Sequence, residues 1–168
     1  MYSEITVRKA NMKDIDTVLE IFKRAIAGMV AKGIFQWDSL YPDEEILNED
    51  IEKSQMFLGE IDGKIASVFV LNQECDEEYK YGNWNLKHSS YAVIHRLCVN
   101  PFFQNIGIGA KTMNIIEKMV KQDHIETIRL DAFSLNPYAL KLYQKLGYIN
   151  VGEVTWRKGL FYLFEKKL

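Results

Sequence analysis

At 168 residues the chain has the length of one domain, and its 48% hydrophobic content is ordinary for a globular core. A formal net charge of −2 argues against a dedicated nucleic-acid binder, and no apolar stretch approaches the ~20 residues that a membrane span needs. The two cysteines, Cys75 and Cys98, make no disulfide framework, and the opening MYSEITVRKA has no signal-peptide core, so a reducing cytoplasm is expected.

EITVRKA alternates apolar and polar residues and reads as a strand. Asn11 follows as an N-cap with Asp14 in the first turn of a helix. Apolar residues of that helix recur at Ile15, Val18, Leu19, Phe22, Ile26 and Val30, and Gly33 ends it. YPDEEILNEDIEKS opens with proline and acids and carries Ile46, Leu47 and Ile51 at helical spacing. MFLGEIDGKIASVFVL reads as two strands around an Asp62-Gly63 turn. Residues 73–90 show no period and read as a long loop, of the kind that is functional or disordered. YAVIHRLCV is a near-continuous apolar strand, as at the centre of a sheet. A helix after Gly107 is expected to bury Ile108, Thr112, Ile115, Ile116 and Met119, and ETIRLDAF is another strand. Asn136-Pro137 sets an N-cap with proline at the first helical position, and Gly147 stops that helix. INVGEVTW and LFYLFEKKL close as a hairpin around Arg157-Lys158-Gly159. The order predicts a single domain over residues 1–168 with a mixed α/β sheet.

Gly107 and Gly109 stand where a helix begins, although glycine costs about 1 kcal/mol against alanine inside a helix. The first N–H groups of a helix lack internal partners and carry the positive end of its dipole, so anions bind there. Glycines let a bulky diphosphate reach the backbone; equally, they permit tight packing of helix on sheet. GIGAKT is not a P-loop, because the GxxxxGK[ST] spacing is absent, and it lacks the third glycine of a dinucleotide fingerprint.

HRLCVNPFFQNIGIGAKTMNIIE resembles the signature region of the GCN5-related N-acetyltransferase (GNAT) superfamily: a strand ending in L-x-V-x-P, then Q/R-x-x-G-x-G/A opening a helix. Gln104, Gly107 and Gly109 match it. IRLDAFSLNPYALKLYQKLGY resembles the family's later strand, N-x-x-A-x-x-x-Y and G-[FY] ending, with Asn136, Ala139, Tyr143, Gly147 and Tyr148 in those places. Residues 1–90 match only in layout. The resemblance implies a GNAT-like fold: a mostly antiparallel sheet of about seven strands, splayed at the fourth and flanked by about four helices. It implies acetyl-coenzyme A as co-substrate, with no metal. The pyrophosphate would be held by backbone N–H groups of the stretch Gln104, Asn105, Gly107, Ile108, Gly109 and Ala110. Many members carry a basic residue before the first glycine of this loop, where Asn105 and Ile106 stand here; Lys111 either compensates or is simply solvated.

Acetyl transfer to an amine needs a base for the amine, a donor for the oxyanion and an acid for the departing thiolate. By the resemblance, the backbones of Leu97, Cys98 and Val99 meet the cofactor at the strand's bulge, with the Val99 N–H as oxyanion donor. Tyr143 matches the family tyrosine that protonates sulfur; a phenol with pKa near 10 is a donor at neutral pH. It also reads as a half-buried packing residue. Asn136 caps its helix and can contact the cofactor as well. His95 stands where many relatives carry a glutamate base, and strand alternation places it on the same face as Leu97. It reads as the general base or as a core histidine hydrogen-bonded across the sheet. A zinc site from His88, His95 and Cys98 fits no common spacing. Cys98 lacks the helix terminus that would make it a nucleophile.

The acceptor is expected against the two early helices, the 73–90 loop and the final hairpin. Phe35, Trp37, Tyr41, Tyr79, Tyr81 and Trp84 are interleaved there with acids such as Glu74, Asp76, Glu77 and Glu78, a composition suited to a cationic amine. The expectation is an acetyl-CoA-dependent N-acetyltransferase acting by direct attack in a ternary complex on a small amine or amino-acid-like acceptor. A protein N-terminus or lysine, and a non-catalytic acyl-CoA sensor, stand as alternatives. No nucleic-acid or membrane partner is expected, and a homodimer stays open.

Overall fold

The computed structural model describes residues 4–168; the N-terminal signal-peptide reading falls partly on residues 1–3, outside that range. The elements run β1 (Thr6–Lys9), α1 (Ile15–Ala31), α2 (Glu44–Glu52), β2 (Met56–Ile61), β3 (Lys64–Asn72), β4 (Tyr91–Val99), α3 (Ile108–Gln122), β5 (Thr127–Phe133), α4 (Pro137–Lys145), β6 (Ile149–Trp156) and β7 (Gly159–Lys167). Among the described residues seven strands form one sheet in the order β1-β2-β3-β4-β5-β7-β6. β1–β2, β2–β3, β5–β7 and β7–β6 are antiparallel, and β4 runs parallel to β5 over Tyr91–Val93. This is the mixed, mostly antiparallel sheet with four helices that the sequence predicts.

Local chemistry sets the boundaries. Asn11 and Asp14 form a capping box ahead of α1, and Asp43 caps α2 through a 2.9 Å bond from the Ile46 N–H. α1 ends in a Schellman motif: the Gly33 N–H reaches the Val30 carbonyl and the Ile34 N–H reaches Met29, with Gly33 at φ +74°. Asp62 and Gly63, both at positive φ, make the β2–β3 turn. The last hairpin turns on Arg157 and Lys158 alone, since Gly159 already pairs with Trp156.

The chain forms two compact units. One comprises the residues up to Leu71 with Arg96–Met113; the other comprises Asn72–His95 with Asn114–Leu168. In the first, Val18, Ile21, Phe22 and Ala25 of α1 pack with Leu47, Ile51, Met56, Leu58, Val68 and Cys98. Trp37 belongs to this core, its ring 5.4 Å from Phe22.

In the second unit, residues 73–90 depart from an open loop. Glu77–Tyr81 form a 3-10 turn, and Tyr79 and Trp84 are buried. Their rings lie 5.6 Å apart, and the Trp84 Nε1–H donates to the Tyr79 carbonyl. The Asn83 N–H donates to the Val151 carbonyl at 2.6 Å, where the bulge of β6 meets Gly82. Aperiodic aromatics signal nothing about burial, so these residues read as loop in the sequence.

Candidate functional site

In the first unit, the end of β4 is pinned by Asn100. Its N–H donates to Ala66 O (2.9 Å), its Nδ2 donates to Ile65 O (2.7 Å), and its Oδ1 caps the 3-10 turn Pro101–Phe103. Every polar group of this buried side chain is thereby used. Gln104 follows, with Nε2 3.4 Å from the Val99 carbonyl. Asn105 (φ +64°) and Gly107 (φ +81°) both take the left-handed conformation, and residues Gln104 to Gly107 are exposed. α3 begins at the buried Ile108, and the Lys111 N–H makes the first helical bond to Gly107 O. The N–H groups of Ile108, Gly109 and Ala110 therefore precede the helical ladder. A Cβ built on Gly107 meets nothing within 4 Å. Close packing is not what this glycine serves; its positive φ is.

Leu97 and Val99 are half-buried, and Cys98 sits in the core. Burial pushes the Cys98 thiol up to about 12, so it is protonated at neutral pH and is no nucleophile. Arg96, between His95 and Leu97, has φ +49°, a local irregularity of the strand.

In the second unit, the His95 Nε2 lies 2.9 Å from the Glu74 carbonyl oxygen and 2.9 Å from Asn72 Oδ1. A carbonyl only accepts, so Nε2 carries the hydrogen. Asn136 accepts from the Ala139 N–H (3.2 Å) and precedes Pro137 at the helix's first position. Tyr143 is buried on α4, edge to face with Tyr148 (5.8 Å) and 6.0 Å from Phe164. Burial, and then the charge of Asp131, raise its pKa, so the phenol holds its proton through and beyond neutral pH.

Two charged groups escaped the sequence reading. Asp131 on β5 accepts from the Tyr79 hydroxyl at 2.7 Å. It is the acid within the otherwise apolar LDAF, which was its only signal. Arg96 on β4 forms a two-pronged ion pair with Asp50 of α2. Of the aromatics assigned to the acceptor, Trp37, Tyr79 and Trp84 are packing residues, while Phe35, Tyr41 and Tyr81 are exposed. No group of three or more His, Cys, Asp or Glu among the described residues could hold a metal, and no helix there is long and apolar enough to cross a membrane.

Residues 18–148 match the acetyltransferase (GNAT) family. The chain belongs to that family. It is similar, at 24% identity over 164 residues, to S-(2-succino)cysteine N-acetyltransferase of Bacillus subtilis strain 168, covering 95% of this chain and 93% of that protein. Among solved structures, a GNAT acetyltransferase from Streptococcus agalactiae 2603 superposes with a TM-score of 0.86 at 21% identity, covering 100% of this chain and 98% of that one. The PaiA N-acetyltransferase of Thermoplasma acidophilum, solved with coenzyme A, gives 0.71 at 22% identity over 99% of this chain and 100% of that one. This GNAT protein is an acetyl-CoA-dependent N-acetyltransferase.

Proposed function

We propose that this enzyme, as one catalytic domain, moves the acetyl group of acetyl-CoA onto the primary amine of a small, amino-acid-like acceptor by direct attack in a ternary complex. The observation that carries this reading is the exposed turn at Asn105 and Gly107. It leads into the first N–H groups of α3, which precede the helical ladder at the positive end of the helix dipole, an anion cradle of the right kind for a diphosphate. The acceptor class draws its support from the Bacillus relative, whose name gives a substituted cysteine as its substrate.

In this reading the N–H groups from Gln104 to Ala110 hold the pyrophosphate, with Lys111 adding charge. Asn136 meets the cofactor while capping α4. The backbone of Leu97, Cys98 and Val99 aligns the thioester, and the Val99 N–H donates to the oxyanion. His95 takes the proton from the amine. The amine nitrogen then attacks the thioester carbon, the C–S bond breaks, the Tyr143 hydroxyl gives its proton to the sulfur, and the resulting phenolate recovers a proton as the acylated nitrogen sheds its second one to leave the neutral amide.

Release of CoA from acetyl-CoA, followed with a panel of free amines, S-substituted cysteines and peptides, tests the reading. Turnover with an amino-acid-like amine and none with peptides is the expected result. Preference for peptides would make it a protein acetyltransferase. Tight acetyl-CoA binding without CoA release for any amine would make it a sensor.

A further inference from the structure

β4 carries one strong positive charge in an apolar run, and that charge sits at the strand's irregular residue. Arg96 has φ +49°, a region that side chains other than glycine rarely adopt. Its side chain is 12% exposed and that of Asp50 is 8% exposed. Arg96 Nε donates to Asp50 Oδ2 at 2.8 Å, and Nη2 donates to Oδ1 at 2.6 Å. The third arm, Nη1, donates to the Tyr41 hydroxyl at 2.9 Å. A planar guanidinium gripped on two edges is fixed in angle as well as distance. Arg96 cannot relax to an extended backbone without pulling that fork off Asp50. The other end of the segment is pinned too, by Asn100 on Ile65 and Ala66. Leu97, Cys98 and Val99 are thus clamped between the Arg96 fork, which grips Asp50 of α2, and Asn100, which is hydrogen-bonded to β3.

Ion pairs this buried are weak evidence for stability, because desolvation offsets much of the attraction. Strained backbone held in place by its surroundings is a feature of functional sites. We propose that the Asp50–Arg96 pair positions the β4 backbone for acetyl transfer: it holds the left-handed turn at Arg96 and so aims the Val99 N–H at the developing oxyanion. Arg96 and Asp50 are positioning residues, acting through Val99. This rests on the assignment of Val99 as oxyanion donor.

Asp50→Asn keeps the shape and removes the charge; Arg96→Lys keeps the charge and removes the fork. Misaimed groups of this sort cost catalysis about 10²-fold. Both variants are expected to lose kcat on that scale, with the Kd for acetyl-CoA nearly unchanged, because the diphosphate donors lie further on at Gln104 to Ala110. Amide resonances of Leu97, Cys98 and Val99 should shift, and Asp50→Glu, which retains a carboxylate for the fork, should recover part of the rate. Folded Asp50→Asn or Arg96→Lys protein with wild-type kcat per folded molecule would overturn the proposal. Loss of folding in both would overturn it as well, making the pair a stability element. A wild-type enzyme that releases no CoA with any amine would instead defeat the proposed function itself.

Discussion

The Tyr79 hydroxyl donates to Asp131 Oδ2 across 2.7 Å, so a half-buried carboxylate on β5 is held at a fixed point by a buried phenol. The same carboxylate bears on Tyr143, whose pKa it raises on top of the larger effect of burial. The sign matters for catalysis. A phenol with a raised pKa stays protonated at every pH where the enzyme is folded and active, so it is always ready to donate. Tyr143→Phe should therefore keep acetyl-CoA affinity and lower kcat by about 10²-fold or more, the range of general acid catalysis. The kcat profile of the wild type should show no fall below pH 10 from loss of this proton. Wild-type turnover in the phenylalanine variant would leave Tyr143 a packing residue between Tyr148 and Phe164.

At Gly107 the backbone and the ligand make separate demands. A Cβ there meets nothing in the protein, but φ +81° is strained for any other residue, at about 1–2 kcal/mol. Gly107→Val should fold with that loss and bind acetyl-CoA much more weakly. Saturating the wild type at 100 times Kd adds about 2.7 kcal/mol, so its Tm rises with acetyl-CoA while the variant's stays near the apo value at the same concentration. Equal Tm shifts would remove the diphosphate from this turn.

Acid sensitivity should show at the N-terminal capping box. Arg8 donates twice to Asp14, at 2.8 Å to each oxygen, and the Asn11 N–H donates to the same carboxylate. The bonds from Arg8, aided by Asn11, hold the Asp14 carboxyl below its usual range. Its stabilisation is thus complete above about pH 5 and fades as pH falls below the ordinary value near 4 and through the folded one. Asp14→Asn should cost about 1 kcal/mol at pH 7, at the low end for charged hydrogen bonds because Arg8 is partly exposed. Denaturant midpoints should show that difference constant from pH 8 to 5 and shrinking below 4. A difference independent of pH would assign the effect to shape alone.

What the sequence made legible was local. Asn11, Asn136-Pro137, Asp62-Gly63 and Gly147 act on neighbours within four residues, and each places its cap or turn where the sequence predicts it. What stayed hidden depends on distant partners. Arg96 meets Asp50 from 46 residues away, and Tyr79 meets Asp131 from 52. No pattern in YAVIHRLCV announces that Arg96 turns left-handed. The burial of Tyr79 and Trp84 was invisible for a related reason: a 3-10 turn and a loop bury single aromatics without a period to count.

The sharpest test concerns His95. Its Nε2 lies 2.9 Å from both the Glu74 carbonyl oxygen and Asn72 Oδ1, so the Nε2–H is held by protein oxygens. Glutamine places an N–H where the imidazole has Nε2, so His95→Gln can keep the bond to Glu74 while losing the basic nitrogen. If His95 is the base, kcat/KM of the wild type should rise with pH as the imidazole sheds its proton, because only neutral imidazole accepts one, and a second limb should follow as the amine substrate itself loses its proton. His95→Gln should lose the lower limb, keep the amine limb and keep acetyl-CoA affinity. His95→Glu should recover less than position alone would suggest, because a carboxylate would face the Glu74 carbonyl, acceptor against acceptor. A folded His95→Gln enzyme with an unchanged profile would leave His95 the structural hydrogen-bond donor that its Nε2 contacts describe, and would hand the amine proton to water or another group.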